Sequence, residues 1–320
     1  MDLKHRFHQA HHALTAAKNV LVISHRKPDG DTLSAACGLM TVLAKRGIAV
    51  QGFCADRFPD QYAYLPSSER ITDDPSVFAA PRDLVVVVDS GDLAYAGVDR
   101  HFAALPPGIK VVNIDHHVVN TMFGHVNAVD TQACSASEVV YRVFSSNGEP
   151  IDADAATCFL TGILTDTNGF NNPATSARTF AAAADLLKAG AGAQLPWKRL
   201  IRNRPLPSLR LWGQILARLK FDERHGLAST ALFRSDFSAH AEDESLEGVS
   251  NFLNLYLDVP VVLVLKENAD GKVKGSFRST GRNVAALAER LGGGGHRLSA
   301  GFSLKGRITE REHGWTVEAD

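Results

Sequence analysis

Four short segments carry acidic and imidazole side chains of the kinds that bind divalent metals. His25, Asp29 and Asp31 lie in Ser24-His25-Arg26-Lys27-Pro28-Asp29-Gly30-Asp31, and Asp89 ends the run Val85-Val86-Val87-Val88. Asp115, His116 and His117 follow Val111-Val112-Asn113-Ile114, and Asp166 lies in Gly162-Ile163-Leu164-Thr165-Asp166-Thr167. Singly, each has an ordinary explanation: Pro-Asp-Gly-Asp makes turns, and an Asp at a strand end caps helices. Jointly they do not, and two adjacent histidines after an apolar strand are poor packing choices. Mixed carboxylate and imidazole donors without thiolate suit Mn²⁺. Like charges about 4 Å apart repel by roughly 4 kcal/mol even at an effective dielectric near 20, so four gathered carboxylates need compensation. Two divalent ions balance them, and two such ions about 3.5–4 Å apart can activate a water and clamp a phosphoryl oxygen.

For these segments to meet, the strands before them must share one edge. Residues 19–23, 48–53, 84–88 and 110–114 read as strands, and 32–45, 135–144, 155–164 and 176–189 as helices. That alternation predicts a mostly parallel sheet with helices on both faces, and ligand sites gather at the carboxyl ends of such strands. The pattern changes after the small residues of 189–196 and the basic, proline-punctuated stretch 202–207. A helix over 208–219 follows, then strands over 227–233, 259–266 and 272–278. The last two flank Asn268-Ala269-Asp270-Gly271, a hairpin signal. A helix over 283–291 leads into Gly292-Gly293-Gly294-Gly295-His296. The expected organisation is two α/β domains: 1–188 bearing the metal site, a linker over 189–207, and a smaller mixed-sheet domain over 208–320.

The chain has 320 residues, 34 Lys+Arg against 35 Asp+Glu and a net charge of −1, which disfavours a long duplex-binding surface but allows a local basic groove. Cys37, Cys54, Cys134 and Cys158 stand far apart without a C-x-x-C pair, so a reducing cytosol is expected rather than a disulfide framework or zinc ribbon. No apolar run reaches membrane-spanning length, and the N-terminus lacks a signal peptide's apolar region, so a soluble cytoplasmic protein is expected. His5, His8, His11 and His12 have no carboxylate companions and read as surface or packing residues.

In their order and spacing, the motifs resemble those of the DHH phosphoesterases with the DHH-associated C-terminal domain. The likeness is strongest to the branch that degrades oligoribonucleotides and dephosphorylates 3′-phosphoadenosine 5′-phosphate. The resemblance spans nearly the whole chain, through Gly-Gly-Gly-His and Ala300-Gly301. It implies that His25, Asp29 and Asp89 hold a first metal, and that Asp31, Asp89, His116 and Asp166 hold a second, with Asp89 bridging. His117 is then the substrate-side histidine, and Asp115 holds a ligand imidazole in its tautomer. Lys274-Gly275-Ser276-Phe277-Arg278-Ser279 resembles the family's phosphate-binding segment. Arg278, Ser279, Asn283, Gly294, Gly295 and His296 are accordingly expected to bind substrate, the glycines by letting backbone N–H groups approach an anion. An active-site cleft is expected between the two domains. After Thr165-Asp166-Thr167 the family's pattern is broken by Asn168-Gly169-Phe170-Asn171-Asn172, where Phe170 could stack on a base or belong to the core.

The resemblance therefore implies a Mn²⁺-dependent, two-metal enzyme acting on short RNA oligonucleotides and on 3′-phosphoadenosine 5′-phosphate. A soluble phosphodiesterase of cyclic or linear dinucleotides is the alternative, followed by a RecJ-like single-strand DNA exonuclease. A non-enzymatic nucleotide sensor would be favoured by a degenerate ligand set, and every ligand position here is filled. Neither long duplexes nor membranes are expected partners, and a homodimer is allowed but not required.

Overall fold

Runs of Val, Ile and Leu without polar alternation build the strands that precede the motifs, the pattern of a parallel sheet covered on both faces. A computed structural model describes residues 2–103, 105, 108–198, 206–237, 248–312 and 314–318, and the chain divides into two units, Met1–Asn203 and Arg204–Asp320. Residues 199–205 of the expected linker lie outside the described residues. The first unit begins with α1 (Leu3–Ala16), β1 (Asn19–Ser24), α2 (Gly30–Lys45), β2 (Ala49–Cys54) and β3 (Ile71–Thr72). It continues through β4 (Leu84–Val88), α3 (Leu93–Ala96), α4 (Asp99–Ala103), β5 (Lys110–Asp115) and β6 (Val126–Val129). Helices α5 (Ala136–Ser145), α6 (Ala153–Asp166) and α7 (Ala177–Lys188) and the single turn α8 (Gln194–Pro196) complete it.

The six strands are all parallel, in the order β3-β2-β1-β4-β5-β6. Two of them, β3 and β6, are too short to show a periodicity in sequence. Alternate strand residues feed two cores. Val20, Val22, Val86 and Val88 pack with buried residues of α1, α2, α5, α6 and α7, while Leu21, Ile23, Val85 and Val87 pack with Phe53, Ala96 and Val98 on the other face. The strand order reverses between β1 and β4, and a crevice for ligands opens beyond the carboxyl ends at such a point.

The second unit contains α9 (Leu206–Ala217), β7 (Lys220–Asp222), β8 (Leu227–Leu232), α10 (Val249–Tyr256), β9 (Val261–Glu267) and β10 (Lys272–Ser279). After these come α11 (Ala285–Arg290), β11 (Gly294–His296), β12 (Ser299–Lys305), β13 (Arg307–Arg311) and β14 (Gly314–Glu318). Its mixed sheet runs β11-β12-β10-β9-β8-β7, with β8 and β9 parallel and the other neighbours antiparallel. Leu211, Ile215, Val249 and Leu253 cover one face and Val284 and Ala288 join the core on the other.

The glycine run is not the open loop that its composition suggests. Gly292 takes φ +74 after α11, its N–H donating to the Glu289 carbonyl and that of Gly293 to the Ala288 carbonyl, a Schellman cap. Gly294 to His296 then pair with β12 as an edge strand. A Cβ on Gly293 would lie 2.1 Å from the Gly301 oxygen, and one on Gly295 2.6 Å from Ala300 Cα, whereas one on Gly294 would meet nothing within 4 Å. Close packing, rather than a cradle of free N–H groups, therefore explains most of the run. All four cysteines are free and buried, and no helix among the described residues is long and apolar enough to cross a membrane.

Candidate metal centre

Side chains from three strand ends and two helices converge beyond the carboxyl edge of the parallel sheet. His25 follows β1. Its buried ring donates from Nδ1 to the Arg26 carbonyl at 2.8 Å, which frees Nε2 as a ligand atom. That Nε2 lies 3.4 Å from Asp89 Oδ2 and 3.8 Å from Asp29 Oδ1. Asp29 caps α2, its Oδ1 accepting from the Asp31 and Thr32 N–H groups. Asp89 follows β4 with φ +56, a left-handed turn that Asp tolerates better than most residues. It is only 2 % exposed, and its Oδ1 has no hydrogen-bond partner among the described residues. Such an orphaned buried oxygen asks for a positive ligand.

On the other side of Asp89, His116 Nε2 stands 3.5 Å from Asp89 Oδ1 and 3.7 Å from Asp166 Oδ2. Asp31, Asp166 and His116 offer ligand atoms within 4.8 Å of one another, as do His25, Asp29 and Asp89. Donors about 2.1 Å from one ion at octahedral angles lie about 3 Å apart, and the four histidine–carboxylate pairs at 3.4–3.8 Å stand within an ångström of that spacing. Asp31 is buried, and its two oxygens accept from the Ala136 and Ser137 N–H groups at the start of α5, at 2.6 and 3.0 Å. The helix end thus fixes the carboxylate with donors it would otherwise leave unpaired.

Two glycines let α6 approach closely enough to deliver Asp166. A Cβ on Gly162 would lie 1.9 Å from Ser137 Oγ and 2.6 Å from Asp31 Oδ1; one on Gly30 would lie 2.4 Å from Thr165 Cγ2. Neither glycine stands out in sequence, because the need for it arises only across the helix contact.

The cluster's charges hold one another. Burial disfavours a charged His25, yet Asp89 pushes it up to about 9; against the same burial, Asp89 and Asp31 push His116 up to about 10. Burial opposes ionisation of Asp89, but His116 and His25 hold it below the usual carboxylate range. Burial, reinforced by Asp89 and Asp166, raises Asp31 well above that range. Burial lifts Asp166 to about 6, with His116 opposing and Asp89 adding to the rise. Protons here occupy places where cations would serve, and the carboxylate–imidazole donors fit divalent metal.

The ring that Asp115 holds is that of His117, not that of His25 or His116, the two imidazoles expected as ligands. Asp115 is fully buried, and its Oδ1 accepts from His117 Nδ1 at 2.7 Å and from the His116 N–H at 2.8 Å. The ring it holds is the outer one: the His117 side chain is 46 % exposed. Burial raises Asp115, but His117 outweighs it and holds the carboxyl below its usual range; Asp115 in turn raises His117. Phe170 is half-buried: it packs against the core and stacks on the half-exposed Phe180 with centroids 5.1 Å apart.

In the second unit, strand register places His296, Ser299 and Arg278 in one cross-strand row. Arg278 donates from Nε to Asn251 Oδ1 and from a terminal nitrogen to the Phe277 carbonyl, and burial lowers its pKa. The Ser279 hydroxyl donates to the Pro260 carbonyl and accepts from the Gly281 and Arg282 N–H groups. Asn283 Oδ1 accepts from Ala285 and Ala286 at the start of α11. These two expected substrate contacts have their oxygens committed to backbone. Gly294 and Gly295 belong to the edge strand, and His296 is exposed.

Residues 19–163 match the family described as DHH family, N-terminal domain, and residues 229–313 match the DHHA1 domain. The chain is 31% identical over 301 residues to the "Bifunctional oligoribonuclease and PAP phosphatase NrnA" of Thermus thermophilus, covering 94% of this chain and 88% of that protein. It is 26% identical to the protein of the same name from Bacillus subtilis, over 89% of each chain. The crystal structure of an exopolyphosphatase-related protein from Bacteroides fragilis superposes with a TM-score of 0.81 and 25% identity, covering 94% of this chain and 92% of that one.

Proposed function

From the premise that this chain belongs to the DHH family, with a DHHA1 domain after the DHH domain, we propose that it is a two-metal phosphoesterase. Its substrates are short RNA oligonucleotides, cleaved to 5′-mononucleotides, and 3′-phosphoadenosine 5′-phosphate, converted to AMP. The observation that carries the reading is Asp89: a buried carboxylate with an orphaned oxygen, lying between a His25–Asp29 pair and a His116–Asp166 pair. His25, Asp29 and Asp89 would hold one ion, and Asp31, Asp89, His116 and Asp166 the other. Divalent ions, of which Mn²⁺ suits the donors best, would neutralise phosphate charge and acidify an attacking water.

The chain's own groups do the rest. His117, its Nδ1–H held by Asp115, presents Nε2 for proton transfer to the leaving oxygen. Arg278 and His296 share a row that suits phosphate, and alternate N–H groups on the free edge of β11 add uncharged donors. The names of the Thermus and Bacillus relatives support this substrate class. The test is a product-resolved assay of pApA, RNA 2- to 5-mers, 3′-phosphoadenosine 5′-phosphate, cyclic di-AMP and long single-stranded DNA, with Mn²⁺ or Mg²⁺. AMP or mononucleotides should form fastest from the short RNA and 3′-phosphoadenosine 5′-phosphate, with Mn²⁺ the better ion. Preference for cyclic di-AMP or long DNA, or activity that survives chelation, would overturn the proposal.

A further inference from the structure

We infer that Asn120, which lies outside every motif, is a positioning residue that aims His117 by fixing the Asp115 carboxylate; the inference rests on the phosphoesterase reading. The Asn120 amide nitrogen donates to Asp115 Oδ2 at 2.6 Å and to Asn113 Oδ1 at 2.9 Å, and its Oδ1 accepts from the Met122 N–H at 2.7 Å. Both amide hydrogens and the oxygen are engaged, so turning the group over would lose all three contacts. Behind it, the buried Asn113 of β5 donates to the Ser90 carbonyl at 3.1 Å. Ser90 directly follows Asp89, so this chain of contacts ends beside the carboxylate between the two metal-ligand sets.

The geometry says why Asp115 needs such a brace. Its Oδ1 carries both the His117 Nδ1 and the His116 N–H, while Asn120 is the one donor to Oδ2 among the described residues. Rotation of a carboxylate about its terminal torsion is soft, so the place of Oδ1 depends on what holds Oδ2. Releasing Oδ2 lets the carboxylate turn and the half-exposed His117 ring swing with it. In hydrolysis, a water oxygen bonds to phosphorus and releases a proton, by which solvent restores His117 after turnover, and the bond from phosphorus to the leaving oxygen breaks, its electron pair staying on that oxygen. The proton that neutralises it comes from His117 Nε2, whose aim Asn120 sets at one remove.

Two variants test this. Asn120→Ala removes the amide, and the near-isosteric Asn120→Asp keeps an acceptor for the Met122 N–H while losing the donor to Asp115. Each is assayed on pApA, whose ribose oxygen needs a proton to leave, and on the p-nitrophenyl ester of AMP, whose phenolate does not. A positioned proton donor contributes about 10²–10⁴-fold, so a misaimed one should lower kcat on pApA by roughly 10- to 100-fold. KM and bound metal should hold, and the loss on the nitrophenyl ester should be several-fold smaller. Equal losses on the two substrates, lost metal, or failure of both variants to fold would show a merely structural role and overturn the inference. His117→Ala, run alongside, separates the two levels. If it discriminates between leaving groups and the Asn120 variants do not, the positioning role alone falls; if it does not discriminate either, the proton donor itself is misassigned.

Discussion

Metal binding should be steeply pH-dependent, because two ligand imidazoles hold protons that must leave first. In the metal-free protein His25 titrates at about 9 and His116 at about 10, each raised by Asp89 against the pull of burial. One pKa unit is worth about 1.4 kcal/mol, so at pH 7 the two protons cost about 3 and about 4 kcal/mol to remove. The overall affinity for the two ions together at pH 7 should therefore lie on the order of 10⁵-fold below its high-pH limit. Between pH 7 and 9 the logarithm of the overall association constant for both ions should rise by about two per pH unit, then by about one per unit up to pH 10. Asp31, also raised, can only steepen the slope. Titration calorimetry in two buffers of contrasting ionisation enthalpy counts the protons directly, with two or more expected at pH 7.5. His25→Gln should reduce the count by one. A count near one or below in the unaltered protein would mean that at least one of the two imidazoles does not ligate, and the two-set arrangement around Asp89 would be wrong.

The same two groups set the stability of the chelated protein. A raised histidine pKa stabilises fully below the ordinary value near 6.5 and loses that contribution as pH rises through the folded value, so with chelator present Tm should fall between pH 7 and 10. Gly162→Ala would drive a methyl into Ser137 and Asp31; it should cost about 1–3 kcal/mol in denaturant titration and weaken metal binding as well. In the glycine run, Gly293→Ala should lower Tm by clashing with the Gly301 oxygen while Gly294→Ala should leave it unchanged, and equal melting of the two would contradict the edge-strand packing. Arg278→Ala should weaken kcat/KM on pApA by roughly 10- to 150-fold, mostly through KM, with metal content unchanged; a wild-type KM would remove Arg278 from the substrate contacts.

The candidate ligands were legible in the sequence because their signal is local. Histidine and aspartate after apolar runs declare themselves by residue type, and a parallel sheet gathers its strand ends whatever the loops do. So His25, Asp29, Asp31, Asp89, His116 and Asp166 could be named before any of them had a position in space. The strands 84–88 and 110–114 were equally plain, since a strand buried on both faces reads as one apolar run. Tertiary structure decided what depends on contacts between distant segments. The donors at the start of α5 that hold Asp31 come from more than a hundred residues away, and Gly162 matters only because Ser137 and Asp31 lie against it. That Asp115 steadies His117, and Asn120 steadies Asp115, depends on the path of the chain after β5, which no periodicity records. The glycine run shows the converse. Four residues without side chains carry no sequence signal to distinguish an anion cradle from a helix cap and an edge strand, and only the close approach of β12 made that choice.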